Sequence, residues 1–350
     1  MGDAGYLLAG PIGREILASG TVIFAVCATG GQLLAGQIAL QVLSDSKLCL
    51  MLYTGLFTIP TVLFSLPRTL DRLSWLSVPS VISIILAGII GMIGAGLNPV
   101  AGRVVDIARS SDFVTAFFSI TNPVFAYAGH FMFFILISEM KDPRGAMKAA
   151  YTLQGFATGF YLLFAIVTYY YLGADVASPS FSSLPTNWAK AAYGIALPNF
   201  LIAGSLYSHT AAKLIFVRLF RNRKTTQTSR HLHEHTALGW GVWVSLILLM
   251  NGLAFLLAVG VPIFNYLIGI AASLFASWYT YGMAGFFWFH DARERAGGRF
   301  DGWTSARTMT VLCFLTILTG AFICVAGMYV NVDSIILAYQ AGTLPPAFAC

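Results

Sequence analysis

Two histidines lie inside long apolar stretches of the chain, where a titratable side chain is costly and therefore a candidate for function. His130 directly follows Ala128-Gly129, and His209 comes four residues after Ser205, which places both on one face of a helix. An imidazole at such a depth can hydrogen-bond a ligand or carry a proton near neutral pH. For His130, a packing hydrogen bond to the carbonyl of a neighbouring helix is an equally good explanation.

A third polar position lies in the first apolar stretch, at Gly31 and Gln32. Gly31 and Ala35 have the spacing of small residues that lets two membrane helices approach closely. Helix packing is therefore the favoured role of the glycine, although backbone exposed beside a ligand is compatible with the same pattern. Gln32 adds an amide at this point.

The composition places these residues in a membrane. The chain has 350 residues, of which 57% are hydrophobic and 10% are charged, and its mean hydropathy is +0.76. A soluble domain carries roughly 25% charged residues. We therefore predict an all-α polytopic membrane protein, and we read the net charge of +6 by its location rather than as a sign of nucleic-acid binding.

Spans of about 20 apolar residues are needed to cross a bilayer. The sequence predicts about nine transmembrane helices in a single domain covering residues 1–350. The predicted spans are Ile16–Leu43, Leu48–Leu66, Trp75–Leu97, Phe113–Ser138, Ala149–Leu172, Ala191–Leu219, Ala237–Val259, Pro262–Phe289 and Thr308–Val330.

The basic residues predict the orientation of these spans. If the chain crosses the membrane nine times, its loops lie alternately on the two sides. Sixteen of the 20 Lys and Arg residues then lie on one side. The other four, Lys47, Arg103, Arg109 and Lys190, lie on the opposite side. The side with more Lys and Arg is the cytoplasmic one. We expect a cytoplasmic amino terminus and a carboxyl terminus outside.

The fourth span is interrupted inside an apolar run, at Asn122-Pro123 and again at Ala128-Gly129-His130. It ends in a charged segment that begins at Glu139. A break in a membrane helix is tolerated where protein or a water-filled cavity satisfies the freed backbone groups. Broken helices of this kind often hold the substrate of a transporter.

The same region carries a family resemblance. The run from Val124 to Ala149, VFAYAGHFMFFILISEMKDPRGAMKA, resembles the central signature of the amino acid/auxin permease family, in its fungal neutral amino acid permease branch. Other stretches are similar to the same branch, and together they cover nearly the whole chain. These stretches are Gly10–Ile16, Leu43–Asp45, Arg68–Ser77, Tyr193–Gly204 and Ala211–Arg221.

The resemblance implies the leucine-transporter fold, which has two inverted five-helix repeats and an eleventh helix. It assigns residues 16–112 to helices 3–5 of the first repeat, 113–289 to helices 6–10, and 308–330 to helix 11. The broken span would then be the sixth family helix, with an unwound centre that faces the amino and carboxylate groups of the substrate. That centre comprises Phe125, Ala126, Tyr127, Ala128, Gly129 and His130.

Because the match begins at a loop that precedes the third family helix, the resemblance predicts an incomplete fold without the first two helices. We interpret this as a truncated gene model or transcript, and a chain shortened in this way is a candidate for loss of transport activity. Many relatives have a smaller residue where this chain has His130, so the residue is expected to alter substrate preference.

The function expected from these observations is proton-coupled symport of neutral amino acids by alternating access, with no cofactor or metal and no enzyme activity. Gly31, Gln32, Ser205 and His209 are further expected substrate contacts, and His130 or Glu139 the expected proton site. Glu139 has an alternative role, pairing with Lys141 or Arg144.

The expected partners are an amino acid, protons and the lipid bilayer, and no nucleic acid; the sequence does not indicate an oligomeric state. The plasma membrane is favoured over the vacuolar membrane. The alternative function is that of an amino-acid-sensing or degenerate membrane protein that transports nothing.

Overall fold

A computed structural model describes residues 1–68, 70–108, 110–220, 230–260, 264–297 and 307–342. Across these residues the chain is helical and contains no strand. Eight helical segments are long and apolar enough to cross a membrane, and the shorter apolar helix Leu50–Ser65 is a ninth apolar element. The prediction of an all-α polytopic membrane protein is confirmed.

The α-helices are numbered here in chain order, and shorter helical turns connect several of them. The α-helices are α1 (Gly2–Leu43), α2 (Leu50–Ser65), α3 (Leu70–Leu97), α4 (Phe113–Ala126), α5 (Phe133–Glu139), α6 (Ala146–Leu172), α7 (Thr186–Phe220), α8 (Arg230–His233), α9 (Ala237–Gly260), α10 (Phe264–Ala271), α11 (Met283–Arg295) and α12 (Arg307–Gln340). A 3₁₀ turn at Ala128–Met132 separates α4 from α5, and a π-helical segment at Ala272–Gly282 joins α10 to α11.

The first helix is longer than the predicted span Ile16–Leu43, because residues 2–15 are also helical. A kink at Ala9 and Gly10 divides these added residues, and Gly10 there has φ +60°, a conformation that glycine adopts without steric cost. Pro11 follows at the start of the continuing helix, a position that suits its fixed φ. The last helix likewise extends beyond the predicted end at Val330, to Gln340.

The second helix is shorter than the other spans. With 16 residues, α2 is about 24 Å long, whereas the hydrocarbon core of a bilayer is about 30 Å thick. Pro60 lies inside it.

The chain forms two compact units, which are described separately. The first unit contains Met1–Phe24, Ser111–Lys141 and Asn265–Leu344. The second contains Ala25–Ser110, Asp142–Phe264 and Pro345–Cys350. The assignment of residues 16–112, 113–289 and 308–330 to family repeats stays a prediction.

In the first unit, α12 packs closely against the π-helical segment through glycines. A Cβ at Gly320 would lie 2.8 Å from the carbonyl oxygen of Ser277, and one at Gly327 would lie 2.2 Å from the Ser273 hydroxyl. One turn further along, Asn331 donates to Ser273 across 3.2 Å. Small residues allow this approach, which in a membrane substitutes for the hydrophobic effect between helices.

In the second unit, α1 and α2 also meet through a glycine. A Cβ at Gly36 would lie 2.3 Å from the ring of Phe57, and the hydroxyl of Thr54 donates to Gln37 Oε1 across 2.8 Å. These contacts explain why the small residues of the first span are clustered. Gly36 is thus a glycine of the first span that approaches α2 closely, while the close helix approach predicted for Gly31 and Ala35 stays a prediction.

Arg68 organises one end of the second unit. Its guanidinium donates to the carbonyl oxygens of His231 (2.7 Å) and Glu234 (3.2 Å) and lies over the rings of Phe216 and Trp240. Burial lowers the pKa of Arg68, but a guanidinium titrates so far above neutral pH that the group stays charged. We call this set of contacts the Arg68 clamp.

Replacing Gly36 with alanine is expected to lower the melting temperature of the purified protein in detergent. The added methyl would overlap the rigid Phe57 ring, and overpacking of this kind costs about 1–3 kcal/mol. Gly55→Ala in α2 is the matched control, because no atom lies within 4 Å of its Cβ position. A drop in melting temperature of equal size for both variants would contradict the close approach at Gly36.

Candidate functional site

The broken segment of the first unit begins with a capped helix. The side chain of Asp112 accepts a hydrogen bond from the backbone N–H of Thr115 at 3.1 Å, which fixes the start of α4. The same hydrogen bonding lowers the pKa of Asp112. Pro123 lies inside α4 without breaking it, so the predicted interruption at Asn122-Pro123 is wrong. The missing N–H of Pro123 removes the helical hydrogen bond to the carbonyl of Ser119, and α4 ends three residues later, at Ala126.

The break itself lies at Tyr127–Met132 and takes the form of a 3₁₀ turn. Tyr127 has φ −94° and ψ 8°, outside the helical range, and its N–H donates to the carbonyl of Pro123 at 3.2 Å. At the other end of the 3₁₀ turn, the N–H of Phe133 donates to the carbonyl of His130. The predicted break at Ala128-Gly129-His130 is therefore present as a tight turn, while Phe125 and Ala126 still belong to α4.

His130 completes this turn with its own side chain. Its Nδ1 lies 3.1 Å from the carbonyl oxygen of Tyr127, and because a carbonyl only accepts, Nδ1 carries the proton. The ring also packs on Phe133, with 4.8 Å between ring centroids. Of the two roles considered for His130, the carbonyl hydrogen bond is observed, to its own turn rather than to a neighbouring helix. Nε2 is then the remaining basic nitrogen.

Gly129 is the open point of the turn. It is exposed, and no atom of the described residues lies within 4 Å of the position that its Cβ would take. Ala126 is also exposed, whereas Tyr127 and His130 are half-buried and Ala128 is buried. One face of the turn therefore offers backbone and small side chains to a ligand.

The opposite face of the turn is covered by aromatic rings. Phe24 of α1 is 1% exposed and packs edge-on against Phe131 with 4.8 Å between centroids, and against Phe125 with 6.2 Å. It also stacks on Phe275 and Tyr279 of the π-helical segment. We call these five rings the aromatic cluster. The rings hold the turn on one side, which leaves the side of Gly129 as its open face.

The second group of predicted site residues lies in the second unit. Ser205 is fully buried and donates to the carbonyls of Leu201 (2.7 Å) and Thr61 (3.1 Å). His209 is also fully buried, with Nδ1 3.4 Å from the carbonyl of Ser65 and its ring against Trp243 at 5.1 Å. Both side chains thereby join α7 to α2.

Gly31 and Gln32 lie on the part of α1 that belongs to the second unit. Gly31 is buried, and the side chain of Gln32 lies beside Gly204, where an added Cβ would be 3.2 Å from Gln32 Cβ. Within the described part of the chain, Gln32 Oε1 and His209 Nε2 are buried without a hydrogen-bond partner. Buried acceptors in this state call for a ligand or an ordered water.

Glu139, the second predicted proton site, ends α5. Its side chain lies outside the described residues. The ten predicted substrate contacts thus form two groups, residues 125–130 in the first unit and Gly31, Gln32, Ser205 and His209 in the second.

Three histidines lie close together before α9, at positions 231, 233 and 235. The two whose side chains are described have separate partners. His231 Nδ1 lies 2.7 Å from the hydroxyl of Thr236, and His235 Nδ1 accepts from the indole N–H of Trp240 at 3.0 Å. The side chain of His233 lies outside the described residues. Among the described side chains, no group of three or more His, Cys, Asp or Glu residues is placed to hold a metal.

Comparison with known proteins identifies the class of molecule that this arrangement belongs to. The profile of the family described as transmembrane amino acid transporter protein matches residues 2–330. The chain belongs to this family. Membership confirms the expected family and makes the protein an integral, multi-pass amino acid transporter, which implies transport rather than catalysis.

Individual members of the family align over the whole chain. A transmembrane transporter of Fusarium pseudograminearum is 30% identical over 361 aligned positions, which cover 100% of this chain and 73% of that protein. A transmembrane transporter of Gibberella moniliformis is also 30% identical, with 100% and 74% covered. An N amino acid transport system protein of Neurospora crassa is 24% identical, with 99% and 74% covered.

The transporter contains side chains near its candidate site that the sequence did not single out. Phe24, Phe275 and Tyr279 contact the broken turn or each other, and Asn251 donates to Ser208 at 2.6 Å in the buried interior of the second unit. Aromatic residues are common in apolar spans, and the partners of Phe24 are more than a hundred residues away. No local pattern in the sequence distinguishes them.

Replacing His209 with alanine is expected to lower the melting temperature of the transporter more than the same change at His130. His209 is fully buried between Ser65 and Trp243, and emptying such a site costs about 2–5 kcal/mol. His130 is half-buried beside the open face of the turn, so its loss leaves a smaller cavity. Thermal unfolding in detergent measures both, and equal shifts would contradict a structural contribution specific to His209.

Proposed function

We propose that this transporter couples the uptake of neutral amino acids to protons and works by alternating access. The broken turn at Tyr127–Met132 is the observation that carries the proposal, because it places open backbone in the middle of a membrane-spanning segment. The resemblance to fungal neutral amino acid permeases supports neutral substrates. In this mechanism the broken segment is exposed first to one side of the membrane and then to the other.

The substrate is proposed to bind at residues 125–130 through its amino and carboxylate groups. The end of α4 presents backbone carbonyls, which favour a cation, and Gly129 leaves space for the amino acid to approach the backbone. His130 occupies the position next to this space. Its ring is proposed to limit the size of the substrate side chain.

In the second unit, Gly31, Gln32, Ser205 and His209 are the proposed substrate contacts. Gln32 Oε1 and His209 Nε2 support this, because both are buried acceptors that lack a partner within the described residues. For Ser205 the proposed contact is the hydroxyl oxygen, because its one proton is already shared between the carbonyls of Leu201 and Thr61. Gly31 is proposed to let the substrate approach the backbone closely beside Gln32.

Proton coupling is proposed to involve His130, with Glu139 as the second candidate. The Nδ1–H of His130 is engaged with the Tyr127 carbonyl, so Nε2 is the nitrogen that gains and loses the proton. Coupling follows if protonation changes the relative stability of the two conformations. The transporter is proposed to reside in the plasma membrane, with its amino terminus in the cytoplasm and its carboxyl terminus outside.

Uptake of a labelled neutral amino acid into proteoliposomes is expected to rise when an inward proton gradient is imposed and to fall when a protonophore removes it. In His130→Asn, whose amide nitrogen can take the place of Nδ1 in the hydrogen bond to Tyr127, uptake is expected to lose its dependence on external pH between about pH 5 and 8. An unchanged pH profile would remove His130 from the coupling role. Uptake that is indifferent to the gradient would contradict symport.

Gly129→Val is expected to raise the apparent KM for the amino acid about tenfold without changing the melting temperature. The added side chain enters open space and meets no described atom, so it would compete with the substrate rather than with the fold. Gly155→Val on α6 is the matched control, since its Cβ position is equally open. An apparent KM in Gly129→Val equal to that of the control would place the substrate elsewhere.

A further inference from the structure

The π-helical segment of the first unit lies against the broken turn. It runs for 11 residues, Ala272–Gly282, and buries Ser273, Ala276, Ser277 and Tyr279. π-helical geometry is rare and frequently occurs at functional sites. What supports this segment is therefore of functional interest.

Tyr279 ties the segment to α1 through its hydroxyl group. The side chain is 5% exposed, and its O–H donates to the carbonyl oxygen of Leu17 at 2.8 Å. The hydroxyl of Thr21 also donates to the Leu17 carbonyl, at 2.7 Å, and lies 3.3 Å from the Tyr279 oxygen. The phenol oxygen is thus held by two groups on α1.

Gly20 makes room for this contact. A Cβ at residue 20 would lie 2.5 Å from the Tyr279 oxygen, so any other residue here would push the hydroxyl away. Glycine is less favourable than alanine inside a helix. The close approach of the phenol explains its presence.

The ring of Tyr279 continues this contact to the broken turn. It stacks on Phe24 with an interplanar angle of 6° and 6.2 Å between centroids. Phe24 packs edge-on against Phe131, which lies inside the 3₁₀ turn, and the rings of Phe131 and Tyr279 are 6.5 Å apart. The hydroxyl, the stacked rings and the turn form one continuous set of contacts within the first unit.

We propose that Tyr279 is a positioning residue for transport. Its hydroxyl pins the π-helical segment to α1 at Leu17 and Thr21, and its ring, through Phe24 and Phe131, holds the 3₁₀ turn in the geometry that leaves Gly129 open. Tyr279 does not contact the substrate; it acts on affinity through the turn. The functional half of this inference rests on the proposed binding of an amino acid at residues 125–130.

The first measurement is hydrogen–deuterium exchange of the purified protein in lipid nanodiscs. Tyr279→Phe removes the hydroxyl and keeps the ring, and it is expected to speed amide exchange about fivefold in both 127–132 and 272–282. Tyr329→Phe is the matched control, because it removes the same atom from a side chain of α12 that is 60% exposed. Exchange in 127–132 that equals the wild type in Tyr279→Phe would overturn the proposal.

A double mutant separates a specific contact from general loosening. Gly20→Ala alone is expected to have the effect of Tyr279→Phe, because its methyl displaces the hydroxyl. In Gly20→Ala/Tyr279→Phe the methyl takes the space that the hydroxyl leaves, so exchange is expected to match Tyr279→Phe alone. Effects that simply add would contradict a contact between the two positions.

The second measurement is amino acid uptake by proteoliposomes of the same variants. Tyr279→Phe is expected to raise the apparent KM about fivefold while the maximal rate stays within about twofold, and Tyr329→Phe is expected to match the wild type. Faster exchange with an unchanged KM would overturn the functional half. If the wild type takes up no amino acid, the proposed function is contradicted instead. The exchange experiment would still show whether the Tyr279 hydroxyl holds the π-helical segment and the 3₁₀ turn in place.

Discussion

Backbone hydrogen bonding is the constraint on which the rest of this structure depends. In the hydrocarbon of a bilayer no water is available, so each peptide group must find its partner within the protein. The fourth span departs from the α-helix at Tyr127–Met132 and still meets this requirement, with a 3₁₀ turn and the His130 side chain on the Tyr127 carbonyl. At this break Gly129 and the neighbouring Ala126 are exposed, while Ala128 is buried.

Within each unit, helices approach each other at several points through glycines. Gly20 admits the Tyr279 hydroxyl, Gly327 admits Ser273, and Gly36 admits Phe57. Each contact places a polar group or a ring directly on a neighbouring backbone. Dispersion and hydrogen bonding at short range therefore do the work that hydrophobic burial does in a soluble protein. The two units use the same device independently.

Much of the fold could be predicted from hydropathy, because membrane helices need only their own backbone to form. The break at Ala128-Gly129-His130 was also predictable, since small and polar residues interrupt an apolar run there. Pro123 was a misleading signal for the position of the break, because α4 continues through it to Ala126. The π-helical segment and the contacts of Phe24 and Tyr279 have no local signature, since they depend on side chains more than a hundred residues apart.

The Arg68 clamp bears on how charge is interpreted in a membrane protein. During insertion, a lysine or arginine acts on topology as a free cation in a loop, and Arg68 counts fully toward the side on which it stays. After folding, its guanidinium lies over the rings of Phe216 and Trp240 and donates to the carbonyl oxygen of His231 in α8. In the folded chain this guanidinium is therefore engaged with carbonyl oxygens and aromatic rings, so a count of basic loop residues does not equal the number of free cations.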